Sequence, residues 1–156
     1  MTRTSQCLFI ASALGILGCQ SSPVSTTEVS QLFAAEAKWA TKGFSDYSVE
    51  VLISCGECPP HSNQWVRVEV VDGTFLRAEI VATGEDISDE FLGLRTPVES
   101  QFAWIRQANN QPDLEDLQVT FDEQLGYPSY VASRYDPALM DAGGAVRLRA
   151  VKPLTP

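Results

Sequence analysis

Cys55, Cys58 and His61 form a cluster whose residue types and spacing could do chemistry: a C-G-E-C pair followed at the third position by the only histidine of the chain. A C-x-x-C pair cycles between dithiol and disulfide when its first thiolate is stabilised, typically at a helix N-terminus. Here a strand-like run precedes the pair and Pro59-Pro60 follows it, so a structural disulfide is expected ahead of redox catalysis. With His61 the pattern becomes C-x2-C-x2-H, three zinc donors, but a structural zinc site takes four and no second cluster supplies the fourth. Any Ser-His-Asp or Cys-His machinery would need His61 as its base, and no G-x-S-x-G elbow accompanies it; an exposed turn residue is the better reading. Asp86, Asp89 and Glu90, and Asp136 with Asp141, lack the alternating acids and fixed glycine of a calcium loop and read as solvated charge. Tyr127, Tyr130 and Tyr135 are the candidate binding surface, because aromatic rings with a polar tip favour recognition patches. No enzyme, metal or cofactor is expected from these residues.

Cys19 points to chemistry of another kind. Arg3, an apolar run from Cys7 through Leu17, and the sequence Ile16-Leu17-Gly18-Cys19 resemble the signal peptide and lipobox of bacterial lipoproteins. The apolar run is shorter than the roughly 20 residues a membrane span needs, and Gln20-Ser21-Ser22-Pro23 breaks it with tether-like polar sequence. The resemblance implies cleavage before Cys19, a diacylglyceryl thioether on its sulfur and a fatty acyl group such as palmitate on its new amino terminus. At about 0.8 kcal/mol per buried CH₂, two or more acyl chains hold a protein stably on a bilayer. Membrane lipid would then be a partner through the chains on Cys19. Gln20 in place of Asp implies sorting to the outer membrane, facing the periplasm, in a Gram-negative envelope.

The 156 residues carry 20 Asp and Glu against 11 Lys and Arg, for a net charge of −9. Losing Arg3 with the signal makes the remainder more acidic still. Such a chain repels phosphate backbones, which argues against nucleic acid. The expected organisation is a signal peptide at 1–18, a lipidated tether at 19–26, one domain at 27–152 and a short tail at 153–156. Cys7 leaves with the signal and Cys19 takes lipid, so Cys55 and Cys58 remain in the folded part. In an oxidising compartment they are expected to pair, constraining a four-residue loop at roughly 2 kcal/mol by the loop-entropy estimate.

The elements that must position these groups follow from periodicity. Ser25-x-x-Glu28 reads as a capping box, and Val29, Leu32, Phe33, Ala37 and Ala40 recur at helical spacing up to Lys42-Gly43. Tyr47, Val49, Val51 and Ile53 alternate with polar residues as a half-buried strand, and Val66, Val68 and Val70 do the same. Asp72-Gly73 predicts a tight hairpin into a strand at 75–82, and 83–95 reads as an acidic surface loop. Thr96-Pro97-Val98-Glu99 predicts a second helix start, with Val98, Phe102, Ile105 and Ala108 on one face and an end near Asn110. Strands follow at Leu117–Phe121, Tyr130–Tyr135 and Val146–Val151. The order helix, three strands, helix, three strands predicts an α+β fold, an antiparallel sheet of about six strands with the helices on one face.

Trp39 and Gly43, Tyr47, the cysteine pair, Asp72-Gly73 and Gly126-Tyr127-Pro128 together resemble an uncharacterised family of bacterial secreted and lipid-anchored proteins, domain of unknown function 6174, over roughly residues 35–152. The family pattern is a Trp-containing helix, a Tyr-x-Tyr strand, a cysteine pair, a strand ending in Asp-Gly and a late Tyr-Gly-Tyr-Pro. This chain has Val49 at the second tyrosine, two residues between its cysteines and Leu125 at the first late tyrosine. The resemblance implies the fold and an extracytoplasmic compartment, and brings no catalytic residue with it. The resulting expectation is a lipid-anchored, non-enzymatic binding or scaffold domain of the cell envelope with an envelope protein as partner. The alternative is an extracytoplasmic thiol-redox or metal-binding protein using Cys55 and Cys58.

Overall fold

Alternating Val, Tyr and charged residues dominate 47–80 and 114–153, and these segments build a sheet over which two amphipathic helices lie. A computed structural model describes residues 26–56, 60–89, 97–136, 138 and 143–154. Helix α1 spans Thr26–Lys42, and strands β1 (Tyr47–Cys55), β2 (Val66–Val71) and β3 (Thr74–Ile80) follow. Helix α2 spans Pro97–Gln107 and tightens into a 3₁₀ turn at Ala108–Asn110 before β4 (Leu114–Phe121), β5 (Pro128–Tyr135) and β6 (Gly143–Pro153). The strand order is β3-β2-β1-β6-β5-β4, with every neighbouring pair antiparallel. This is the α+β architecture and element order expected from the periodicity.

Tyr47, Val49 and Val51 of β1 and Val66, Val68 and Val70 of β2 point into the core, joined by Ala78, Ile80, Val131 and Leu148. Leu32, Ala35 and Trp39 of α1 and Val98, Phe102 and Ile105 of α2 complete the same cluster. Both helices therefore cover one face. Among the described residues four register shifts interrupt the strand pairings, two of them between β4 and β5, and the other two keep the in-and-out alternation in phase along β2, β3 and β6. One falls in the β2–β3 pairing at Glu69/Val70 and leaves Leu76 as the extra residue, 58% exposed. The other falls opposite Ser48/Glu50, where Ala150 adopts φ 53°.

At Asp72-Gly73 both residues have positive φ, 50° and 68°, as the tight hairpin turn from β2 to β3 requires.

The elements differ from the sequence expectation at two places, the stripe of α1 and the loop after β3. In α1 the buried stripe is Leu32, Ala35 and Trp39, whereas Phe33 is 63% exposed and Ala37 and Ala40 face solvent. A helix on a sheet buries one narrow stripe, and the large Trp39 ring fixes which one. The Glu99 carboxylate accepts from α1 and β1, described below. Ser25 and Thr96 of the two expected caps lie outside the described residues. The loop after β3 is acidic but not wholly superficial, because Ile87 is buried at 3% exposure. Its backbone bonds Ala78, and Ile80 bonds Glu85, so this segment covers the free edge of β3.

Candidate functional site

The residues that make the chain recognisable meet at one aromatic junction. Trp39 stands edge-on to Phe44, Tyr47 and Tyr127, with ring centroids 5.6, 5.4 and 6.3 Å apart. Glu99 of α2 closes it: one carboxylate oxygen accepts from Trp39 Nε1 at 3.1 Å and the other from Tyr47 Oη at 2.7 Å. One side chain thus ties α1, α2 and β1 together. Burial, reinforced by the Glu99 carboxylate, pushes the Tyr47 phenol far above its ordinary value, which suits a hydrogen-bond donor and not a proton-transfer group. Tyr127 is likewise raised, first by burial and then by Asp122. Gly126 approaches α1 so closely that a Cβ there would sit 2.5 Å from the Ala35 carbonyl oxygen.

The candidate tyrosines go to three different places. Tyr127 is buried in the junction. Tyr130 faces away from the helices, with the Arg147 guanidinium 5.0 Å from its ring centroid. Tyr135 lines a cavity under α2. Strand alternation separates Tyr130 from Tyr135 by parity, and the glycine turn aims Tyr127 inward, so they do not form a shared surface.

The cavity has a volume of about 430 Å³. Ile53, Val131 and Val146 supply apolar surface from the sheet, and Ser133 and Tyr135 supply hydroxyls. From α2 come Ser100, Gln101, Trp104 and Gln107, spaced three or four apart on the flank beside the buried Val98-Phe102-Ile105 stripe. Cys55 stands at its border and is disulfide-bonded; Cys58 and Cys19 lie outside the described residues. Cys55 ends a strand, not a helix N-terminus. His61 occupies the turn after it at φ 64°. Among the described residues no group of His, Cys, Asp and Glu is arranged to hold a metal ion. Asp86 caps Ser88 and pairs with Arg77, and these hydrogen bonds hold its carboxyl below the usual range.

The opposite sheet face carries a transverse ladder. Glu79 pairs with Arg67 at 2.6 Å, Arg67 with Glu50 at 3.2 Å, and Glu50 with Arg149 at 2.8 Å. Arg149 lies over Trp65, 3.7 Å from the ring centroid. Burial pushes the Glu50 carboxyl up, but hydrogen bonds and charge from Arg149 and Arg67 outweigh it and leave the group below its ordinary value.

Residues 31–153, which hold the junction, the hairpin turn and the Gly126 contact, match one family model, that of the family of unknown function DUF6174. The chain belongs to the DUF6174 family. No match is found among curated proteins or among solved structures. Within the DUF6174 region of this chain, Trp39, Tyr47, Glu99 and Tyr127 assemble a junction between helices and sheet. The sequence reading passed over Trp104, Gln101 and Gln107 because they fall beside the apolar stripe. Their own spacing of three to four was the available signal. Trp65 was passed over because its partner Arg149 is distant in sequence and adjacent only through the strand order.

Proposed function

We propose that this protein is a lipid-anchored, extracytoplasmic binding or scaffold domain of the cell envelope, held on the bilayer by acyl chains at Cys19, with no catalytic activity of its own. The observation that carries the binding role is the sheet face opposite the helices, uncovered by any described helix. It presents Trp65 under Arg149 and Tyr130 under Arg147, beside the Glu79-Arg67-Glu50-Arg149 ladder. Aromatic rings and arginines side by side are the residues that anchor protein interfaces. Tyr127 is spent on packing, so the partner is assigned to the sheet face. The lipobox-like Ile16-Leu17-Gly18-Cys19 supports the anchor.

Metabolic labelling with an alkyne fatty acid is expected to mark the chain, with Cys19→Ser losing both label and membrane fractionation. A photo-crosslinking residue at Gln118 or Tyr130 is expected to capture an envelope protein, while one at Phe33 on α1 is not. Capture from Phe33 alone would sink the assignment of the surface. The alternative thiol-redox reading rests on Cys55 at the end of β1. Thiol titration with and without denaturant separates the two, since a structural disulfide shows no free thiol in either condition.

A further inference from the structure

The described lining of the cavity between α2 and the sheet departs from the acidic character of the chain. Among its described lining residues there is no Asp, Glu, Lys, Arg or His, in a protein with 20 acids and 11 basic residues. Against these described residues a charged ligand would lose water without gaining a counter-charge, which favours a neutral occupant. The polar groups on its wall are also unspent. Gln101, Gln107, Ser133, Tyr135 and the Trp104 indole N–H make no side-chain hydrogen bond to the described residues; Ser100 bonds the Pro97 carbonyl. An acyl chain would strip water from these groups and return no hydrogen bond. An apolar floor of Ile53, Val131 and Val146, two aromatic rings, and amides and hydroxyls from both walls fit a molecule that is apolar in part and rich in hydroxyl or amide groups at its edge. The volume falls in the range of small-molecule sites, about 300–1,000 Å³.

We propose that this cavity is a binding site for a short neutral saccharide. Trp104 and Tyr135 offer ring surface to the C–H side of a sugar, and Gln101, Gln107 and Ser133 take its hydroxyl and acetamido groups. The inference is separate from the envelope-partner reading, because it uses the other side of the sheet and is read on isolated protein. Failure here leaves the crosslinking result from Gln118 untouched.

The test is a titration of the purified, membrane-extracted chain, held in a zwitterionic detergent free of sugar headgroups. N,N′-diacetylchitobiose and cellobiose serve as the neutral probes, with glucose 6-phosphate, dodecanoate and a capped neutral tripeptide as competing classes. Side-chain amide signals of Gln101 and Gln107 and the Trp104 indole signal are expected to shift saturably with a neutral sugar. Gln101→Ala and Gln107→Ala, on the solvent side of α2, are each expected to weaken binding about 3- to 10-fold, the loss of one hydrogen bond, with an unchanged melting temperature. Trp104→Ala is expected to lose more. The proposal is overturned if neither sugar shifts these signals up to about 10 mM, if both Gln variants bind as the parent does, or if dodecanoate, the phosphate ester or the tripeptide binds more tightly than either sugar.

Discussion

Glu99 shows how much a single exposed residue can organise when its partners are buried. Tyr47 is fully buried, and its hydroxyl donates to Glu99. Glu99→Ala leaves that donor and the Trp39 N–H without the acceptor, at a cost of about 1–3 kcal/mol for an orphaned buried group, measurable by denaturant unfolding. Glu99→Gln keeps one acceptor and adds an N–H₂, so it should fall between the two. In a Glu99→Ala, Tyr47→Phe cycle the double variant should cost less than the sum of the singles, because the orphaned hydroxyl is then absent. Tyr47 also sets an alkaline limit. Its folded pKa is raised, so its contribution is present below the unfolded value of about 10 and is lost as pH rises through the folded one. Ultraviolet titration of the four tyrosines should show Tyr47 ionising only as the protein unfolds; a reversible Tyr47 phenolate in folded protein would refute the buried hydrogen bond.

At the scale of elements, close approach and charge make separate predictions. Gly126 sits at φ 86° with the Ala35 carbonyl in the space of a Cβ, whereas Gly73 at φ 68° has nothing within 4 Å. Gly73→Ala should therefore cost about 1–2 kcal/mol from its left-handed conformation alone. Gly126→Ala adds displacement of α1 and should lower the melting temperature clearly further. Within the ladder, Glu50 is held below its ordinary pKa. A depressed folded value stabilises above the unfolded pKa of about 4.3 and loses that contribution as pH falls through the folded one. Wild type should lose stability between about pH 5 and 2 more steeply than Glu50→Gln, by thermal melts across that range. Much of this scale was legible in the sequence. Alternation gave β1 and β2, Asp72-Gly73 gave the hairpin, and Pro97 gave the start of α2, because each depends on local backbone physics. Phe33 was misassigned because periodicity counts apolar residues and does not know which stripe the 17-residue α1 lays on the sheet. Leu76 and Ala150 were opaque because a bulge exists only relative to the neighbouring strand. The cavity was opaque because its walls come from α2, β1, β5 and β6, and no short stretch of sequence holds more than one of them.

For the whole molecule, the strand order matters more than any single contact. β6, last in the chain, lies between β1 and β5, and Glu50 and Arg149 in that pairing are 99 residues apart. Each set of three successive strands contributes one half of the sheet, and the β1–β6 pairing joins them. A chain ending at residue 142 should lose cooperative unfolding by circular dichroism, since β1 and β5 would each expose an edge and Leu148 would leave the core; a sharp transition in that truncation would contradict the central role of β6. Because β6 follows both of its neighbours in sequence yet lies between them, the two halves of the sheet stay unjoined until it docks. Closing the central seam is thus a single late docking event rather than the extension of one growing edge.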